Sequence, residues 1–389
     1  MSKDIAIVAG VRTPFGRAIK GGFKDTRPDT LGAVAIAEAL RLSEGIKAEE
    51  VDDVVLGCAM PEAEQGMNVA RVAGLAAGLP NESSAMTINR FCSSGLQAIS
   101  IVADRIAAGA FEVGIAGGVE TMSMIPMGGN KPSFNLELVE KRPDIFTPMG
   151  ITAENIARRF EVSRKDQDEF AFRSHQRATA AMENGKFAAE IVPVKTRVFD
   201  AEGRAHEVTI SKDEGPRGDT TVEKLATLKP AFDPTGSVTA GNSSPLTDGA
   251  AALVIASGDR VKALGKKPLG WFRYFAVAGV PPDIMGIGPV PAVRKVLKQA
   301  GMTVDQIDLF ELNEAFAAQS LYCARELGVD PEKLNVNGGA IALGHPLGVS
   351  GARLTLTILH ELARRNGRFG VVTMCIGGGM GAAAIVERA

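Results

Sequence analysis

The stretch Asn89-Arg90-Phe91-Cys92-Ser93-Ser94-Gly95 joins a strand-like segment, Thr87-Ile88-Asn89, to an apolar helix pattern over Gly95–Ala108. A further strand pattern, Val113–Ala116, then closes on Gly117-Gly118. The succession of strand, turn, helix and strand returns around a second turn, Gly344-His345-Pro346-Leu347-Gly348, with a helix over Gly348–Arg364 and a strand over Gly370–Met374. Strands that alternate with helices predict a layered α/β architecture. The coarse likeness of the two stretches predicts two related α/β modules that face one another across a shared cleft. Working outward, Ile5–Val8 and Val54–Leu56 read as buried strands, and Thr30–Arg41 and Asn68–Ala77 as helices. Ala250–Ala256 and Ile307–Phe310 read as strands, and Val290–Gly301 and Ala315–Leu327 as helices. Between Met122 and Asp248 the pattern changes. Helices are expected over Ala153–Arg159 and Arg164–Asn184, and Thr196–Lys229 reads as polar chain with little periodicity. This middle portion reads as a large insertion reaching over a ligand, with a solvated decoration as the competing reading.

Composition narrows the classes of function. The chain has 389 residues and a net charge of −2, so no overall field draws nucleic acid or an anionic membrane. Aromatic residues are 5% of the chain, too few for a base-stacking surface. No window is apolar enough to span a bilayer. The N-terminus enters a strand-like run at once, without the marks of a signal or transit peptide, and the C-terminus carries no peroxisomal address. Four cysteines in a chain this long make no disulfide framework, so a reducing cytoplasm is the expected location.

Those few cysteines sit where chemistry could use them. Cys92 lies at a helix start, where the dipole favours a thiolate, although a buried inert thiol is the commoner fate of a free cysteine. His345 lies in a contorted glycine-rich loop, placed to take a proton from a thiol; a loop histidine satisfied by local backbone is the alternative. Cys375 ends a strand and opens Gly377-Gly378-Gly379, in the way α/β proteins expose a reactive group at the carboxyl end of a sheet. Asn313, in Asn313-Glu314-Ala315-Phe316, either caps the next helix or serves an oxyanion. Cys58 and Cys323 read as packing residues, and His175, His206 and His360 as surface groups. No Cys/His spacing suits zinc, no Gly-x-Gly-x-x-Gly follows an early strand, and no Gly-Lys-Ser/Thr follows the Cys375 glycines. Acyl transfer through a cysteine thioester, without metal or organic cofactor, is the chemistry suggested.

These turns together resemble the thiolase family over essentially the whole chain. The resemblance is carried by Arg12–Gly16, Asn89–Gly95, Gly117–Ser123, Met149–Asn155, Gly241–Ser244, Asp248–Ala251, Asn313–Phe316, Gly344–Pro346 and Cys375–Gly381, in that order. It implies two similar halves, each with helices packed on a mixed five-stranded sheet, plus an inserted loop domain. The halves fall at 1–121 with 248–270 and at 271–389, with the insertion at 122–247. It implies that Cys92 takes the acyl group, that His345 activates it, and that Cys375 is the acid and base at the acetyl carbon. Asn313, through a water, and His345 correspond to one oxyanion site, and the backbone N–H groups of Cys92 and Gly377 to the other. Arg217, Phe232, Ser244 and Met149 correspond to contacts with coenzyme A, which is a substrate here and not a cofactor.

Two branches of the family compete. Arg90-Phe91 before Cys92, Ser93-Ser94 after it, and Pro148 before Met149 resemble the degradative branch, which cleaves 3-ketoacyl-CoA with CoA. The alternative is an acetyl-CoA C-acetyltransferase that makes acetoacetyl-CoA. A non-catalytic thiolase-like lipid carrier is the third reading, although no reactive residue is missing. The resemblance also implies a homodimer or homotetramer, with a hydratase/dehydrogenase subunit as a candidate partner.

Overall fold

The computed structural model describes residues 4–389; Met1, Ser2 and Lys3, the start of the first expected half, lie outside the described residues. Among the described residues, strands run over Ile5–Arg12 (β1), Gly16–Arg17 (β2), Asp53–Gly57 (β3), Ser84–Ile88 (β4), Val113–Thr121 (β5) and Val194–Phe199 (β6). They continue with Ala205–Ile210 (β7), Thr247–Ser257 (β8), Gly270–Gly279 (β9), Leu309–Leu312 (β10), Phe369–Ile376 (β11) and Met380–Arg388 (β12). The order across the main sheet is β10-β11-β12-β9-β1-β8-β5-β3-β4.

That path is two sheets joined at a seam. In the first, β4, β3 and β5 are parallel, and β8 and β1 follow antiparallel. In the second, β10 and β11 are parallel, and β12 and β9 follow antiparallel. The seam is only Ala6↔Trp271 and Ile7↔Gly270. The second sheet has four strands where the resemblance implies five. Its fifth position is a one-residue parallel bridge, Phe310↔Leu334. The extension stops there because Asn335 takes a φ of 43°, which bends the chain out of any strand.

Sequence explains the layers. Helices Ser94–Ala107 and Ser350–Arg365 lie back to back between the two sheets. Both are covered along most of their length, and Ser350–Arg365 buries the polar Arg353, Thr355, Thr357 and Glu361 together with its leucines. Leu96, Ile99, Val102, Leu354, Ile358 and Leu362 form one core with Ile7, Leu253, Val372 and Met374 from the strands. Burying each large aliphatic side chain contributes roughly 1.5–3 kcal/mol. The outer faces are covered by Pro28–Leu42 and Val69–Ala76 on the first sheet, and by Pro289–Ala300 and Ala317–Leu327 on the second. Of these, Val69–Ala76 and Pro289–Ala300 are clearly amphipathic, which makes their sequence patterns legible.

The stretch 196–229 departs from expectation. It holds most of the β6–β7 hairpin and a short helix, Val222–Ala226. β6 does alternate, with Val194, Thr196 and Val198 inward and Lys195, Arg197 and Phe199 exposed, but the run is only six residues long and its partner β7 is mostly exposed, so the signal is lost in the polar chain around it.

Candidate active site

The Cys92 turn is held by its own polar side chains. β4 delivers the chain to Asn89, whose Oδ1 accepts from the Phe91 N–H (2.7 Å) while its Nδ2 donates to Ala59 O (3.0 Å). Ser94 Oγ donates to Phe91 O (2.7 Å) and accepts from the Arg90 N–H (2.8 Å). Between these clamps Phe91 adopts a φ of 43°, a strained value for a bulky residue. The result turns Cys92 inward, 7% exposed, immediately before the helix Ser94–Ala107.

Expectation and structure part over its charge. Burial pushes the Cys92 thiol up to about 11, although the N–H groups of Gly377 and of Cys92 itself point at its sulfur and pull the other way. Nearby Glu120 raises it further. Desolvation therefore outweighs the helix start, and the resting group is a thiol.

His345 is presented by backbone that turns at Gly344, φ 109°. Its N–H donates to Thr247 Oγ1 (3.1 Å), and the side chain is buried. Nδ1 lies 2.6 Å from Ser350 Oγ, whose own proton goes to Pro346 O (3.0 Å). That chain assigns the ring proton to Nδ1 and leaves the Nε2 lone pair free to accept. Asn313 Nδ2 lies 3.2 Å from Nε2. Burial, reinforced by Arg353, pulls the imidazole down to about 3, so it is neutral. The His345 turn reaches the nucleophile side through Leu347, which packs in one cluster with Cys92, Ala59 and Met122.

Asn313 follows β10 and donates its N–H to Thr373 O (2.9 Å). It caps no helix; Phe316 stands at the cap of Ala317–Leu327. Its Oδ1 is buried without a protein partner, as an atom facing a water or a ligand would be. Cys375 is the penultimate residue of β11, opposite Gly381 of β12, fully buried against Met285, Phe316, Ala153 and Val238. Burial first, and then Cys92, push its thiol far up, and the Phe91–Ser93 turn that carries Cys92 packs against β11. Gly377 opens the hairpin turn that follows.

The four coenzyme A candidates divide. Met149 packs on the Cys375 cluster, with its sulfur beside Gly377. Phe232 is exposed, lies edge-on to Phe316 (6.0 Å between ring centres) and covers Gly150. The Ser244 N–H donates to Ala315 O (3.0 Å). Arg217 stands apart and exposed, its N–H donating to His175 Nδ1 (3.2 Å). Burial and the neighbouring Arg217 both pull the Arg17 guanidinium below its ordinary value.

His175 is therefore no surface group: it is buried on Arg164–Glu183, which turns that face inward under the insertion. His360 is largely covered as well, whereas His206 is exposed. Cys58 and Cys323 are buried. Residues that the sequence reading passed over include Ser350, Thr247, Glu314 and Glu120. Glu314 accepts from Ser174 Oγ (2.6 Å), Asn335 Nδ2 (2.8 Å) and the Ile341 N–H (3.2 Å), tying the Asn313 loop to the insertion and to the segment leading to His345. A carboxylate inside an otherwise apolar run, as at Glu120, was the available signal. Among the described residues, no group of three His, Cys, Asp or Glu is placed to hold a metal ion, and no helix is long and apolar enough to cross a membrane.

Family models for the thiolase N-terminal domain and the thiolase C-terminal domain match residues 5–259 and 266–388. The chain belongs to the thiolase family. Its relatives include a 3-ketoacyl-CoA thiolase of Bacillus subtilis, 54% identical over 99% of both chains. A human peroxisomal 3-ketoacyl-CoA thiolase is 49% identical over 99% of this chain and 91% of its own. Among solved structures, the Bacillus anthracis acetyl-CoA acetyltransferase matches with a TM-score of 0.91 at 43% identity, covering 100% of this chain and 99% of that one. Human mitochondrial 3-ketoacyl-CoA thiolase matches at 0.90 and 41%, with the same coverage. The two-sheet, two-helix sandwich described above is thus the thiolase fold.

Proposed function

We propose that this thiolase is an acyltransferase that cleaves 3-ketoacyl-CoA with CoA, giving acetyl-CoA and an acyl-CoA shortened by two carbons. The observation that carries the reading is the meeting of two thiols, a neutral imidazole whose unprotonated Nε2 is met, among the described residues, only by the Asn313 amide, and two N–H groups converging on one sulfur. In this reading His345 Nε2 takes the Cys92 proton, and the thiolate attacks the keto carbon of the substrate. The N–H groups of Cys92 and Gly377 hold the resulting oxyanion. The C2–C3 bond breaks, its electron pair stays on C2, and Cys375 protonates that carbon as acetyl-CoA departs. Asn313, with a water, and His345 as its imidazolium steady the enolate oxygen. Cys375 then takes the proton of incoming CoA, and the CoA thiolate attacks the acyl-Cys92 thioester. Cys92 recovers its proton from His345, and every step is reversible.

The B. subtilis and human relatives support the degradative direction, and so do Arg90-Phe91, Ser93-Ser94 and Pro148. The acetyltransferase neighbour favours a second reading, condensation of two acetyl-CoA. Met149, Phe232 and Ser244 are the proposed coenzyme A contacts near the reactive centre. Arg217, close to Arg17, supplies positive charge for phosphate. The division into halves 1–121 with 248–270 and 271–389, around the insertion 122–247, is part of the same proposal, as are a cytoplasmic location and a candidate hydratase/dehydrogenase partner. Self-association is supported by the half-exposed edge strand β4 with Met67, Val72 and Leu75 exposed beside it. The test is initial rate against chain length, with acetyl-CoA condensation in the same preparation. Each buried CH₂ contributes about 0.8 kcal/mol, so four more carbons, if fully buried, amount to about 3 kcal/mol and kcat/KM rises by up to roughly 10²-fold from four to eight carbons. A flat or falling profile assigns the acetyltransferase reading instead.

A further inference from the structure

Glu120 closes β5 and is 1% exposed, yet among the described residues no Lys, Arg or His pairs with it. Every polar contact it makes is with a donor. Oε2 accepts from the Ala59 N–H (2.8 Å) and the Gly348 N–H (2.8 Å). Oε1 accepts from Gln65 Nε2 (2.9 Å), from the Met60 N–H (3.3 Å) and from Cys58 Sγ (3.6 Å). Gln65 is fixed in that orientation, because its Oε1 accepts from the Thr121 N–H (2.5 Å). A protonated carboxyl would need an acceptor, and none faces it, so the geometry calls for the carboxylate. Burial pushes the Glu120 carboxyl above its ordinary value, and the Ala59 and Gly348 N–H groups, Gln65 and the Met60 N–H pull against that shift by solvating the anion.

The donors come from both halves of the molecule. Ala59, Met60 and Gln65 belong to the loop after β3, on the side of Cys92. Gly348 belongs to the turn that carries His345. The same Gly348 is pressed onto the first half so closely that a Cβ on Gly118 would lie 2.0 Å from its carbonyl oxygen. We propose that Glu120 is a positioning residue of the thiolase reaction, an ionised carboxylate that fixes the His345 turn against the Cys92 side by binding N–H groups from both.

The proposal rests on the reading that Cys92 and His345 carry the chemistry. It has a cost that separates it from simple packing, since a carboxylate near Cys92 opposes formation of the thiolate. The titratable groups that act on Cys92 are Glu120 from β5 and Cys375 from β11, and the turn of the neutral His345 packs beside it through Leu347; Cys58 faces Glu120.

The experiment compares wild type with Glu120→Gln and Glu120→Asp. Turnover is read beside the pH dependence of Cys92 alkylation by iodoacetamide. In Glu120→Gln one amide nitrogen must face N–H donors whichever way it turns, so the tie to Gly348 or to Gln65 breaks. Turnover falls roughly 10²-fold, the usual result of a 1 Å misplacement. The alkylation midpoint moves to lower pH, because the opposing charge is gone. Glu120→Asp keeps the charge but is one methylene short, so turnover falls and the midpoint stays. Turnover within threefold of wild type in a folded Glu120→Gln, or a fall in turnover with no midpoint shift, overturns the inference. If Glu120→Gln does not fold, Glu120→Asp decides by turnover alone. Acyl-adduct formation on wild-type Cys92 is measured in parallel. Its absence sinks the proposed function, whereas a normal adduct with unimpaired variants sinks only the role of Glu120.

Discussion

The free enzyme should react slowly with small alkylating reagents at neutral pH, although it uses a cysteine nucleophile. Burial holds the Cys92 thiol near 11 rather than its ordinary 9.0. At pH 7 the thiolate fraction is then about 10⁻⁴ rather than about 10⁻², and the two pH units correspond to roughly 3 kcal/mol of disfavoured ionisation. His345, pulled down to about 3, carries no charge that would stabilise a resting thiolate. The assay is the rate of inactivation by iodoacetamide between pH 6 and pH 10, with peptide mapping to confirm Cys92. The rate should climb about tenfold per pH unit throughout, without a plateau. His345→Ala should leave that rate within a few-fold while reducing acylation by acetyl-CoA about 10²–10⁴-fold. An alkylation midpoint at or below pH 7, abolished by His345→Ala, would show a preformed thiolate–imidazolium pair and refute the reasoning.

Cys375→Ser should still form the acyl adduct on Cys92 from acetyl-CoA, yet lose exchange of the acetyl methyl protons with deuterated water, read by NMR; unchanged exchange excludes Cys375 as the acid and base. Gly118→Ala places a methyl on the Gly348 carbonyl, and because backbone on both sides must move, thermal stability should drop by at least the roughly 1–3 kcal/mol of an overpacked core; an unchanged melting temperature argues that the halves are not in such close contact. Hydrogen bonds from Asn337, Arg365 and Arg364 outweigh burial and hold Glu361 down at about 2, below the ordinary 4.5. Its contribution is complete above the unfolded value and is lost as the pH falls from about 4.5 to 2. Wild type should therefore lose more stability over that window than Glu361→Gln in acid-titrated thermal melts.

Much of this was legible because the local signals agreed with their surroundings. Cys92, His345 and Cys375 stood out as reactive residue types in turns, and the structure gathers those turns. Outer helices such as Val69–Ala76 and Pro289–Ala300 announced themselves by amphipathic periodicity. Besides the hairpin strands and the two-residue β2, two long strands of the main sheet were not legible. Met380–Arg388 reads Met-Gly-Ala-Ala-Ala-Ile-Val-Glu-Arg, whose alanines favour helix, and only the slot between two neighbours makes it extended. Gly270–Gly279 carries aromatic residues on both faces and marks no alternation. The inward face of His175 was hidden because its helix is strongly charged elsewhere, and burial under an insertion is a tertiary fact. Glu120 and Ser350 were in view as letters, but their partners lie 228 and 5 residues away, and only the first separation needs a fold to close it.

The order of the strands also dictates the order of events during synthesis. β8 lies between β1 and β5, and β12 between β9 and β11. Each sheet is therefore completed by an interior strand made after both of its neighbours, or last of all. When Thr121 leaves the ribosome, β1 and β5 each show a bare edge, and the strand that covers both begins at Thr247. At about 5–20 residues per second, those edges stand open for many seconds. The second sheet waits for Met380–Arg388. The nascent chain thus passes through a long period with sticky margins and no finished core, which makes this protein a natural client for chaperones that shield strand edges.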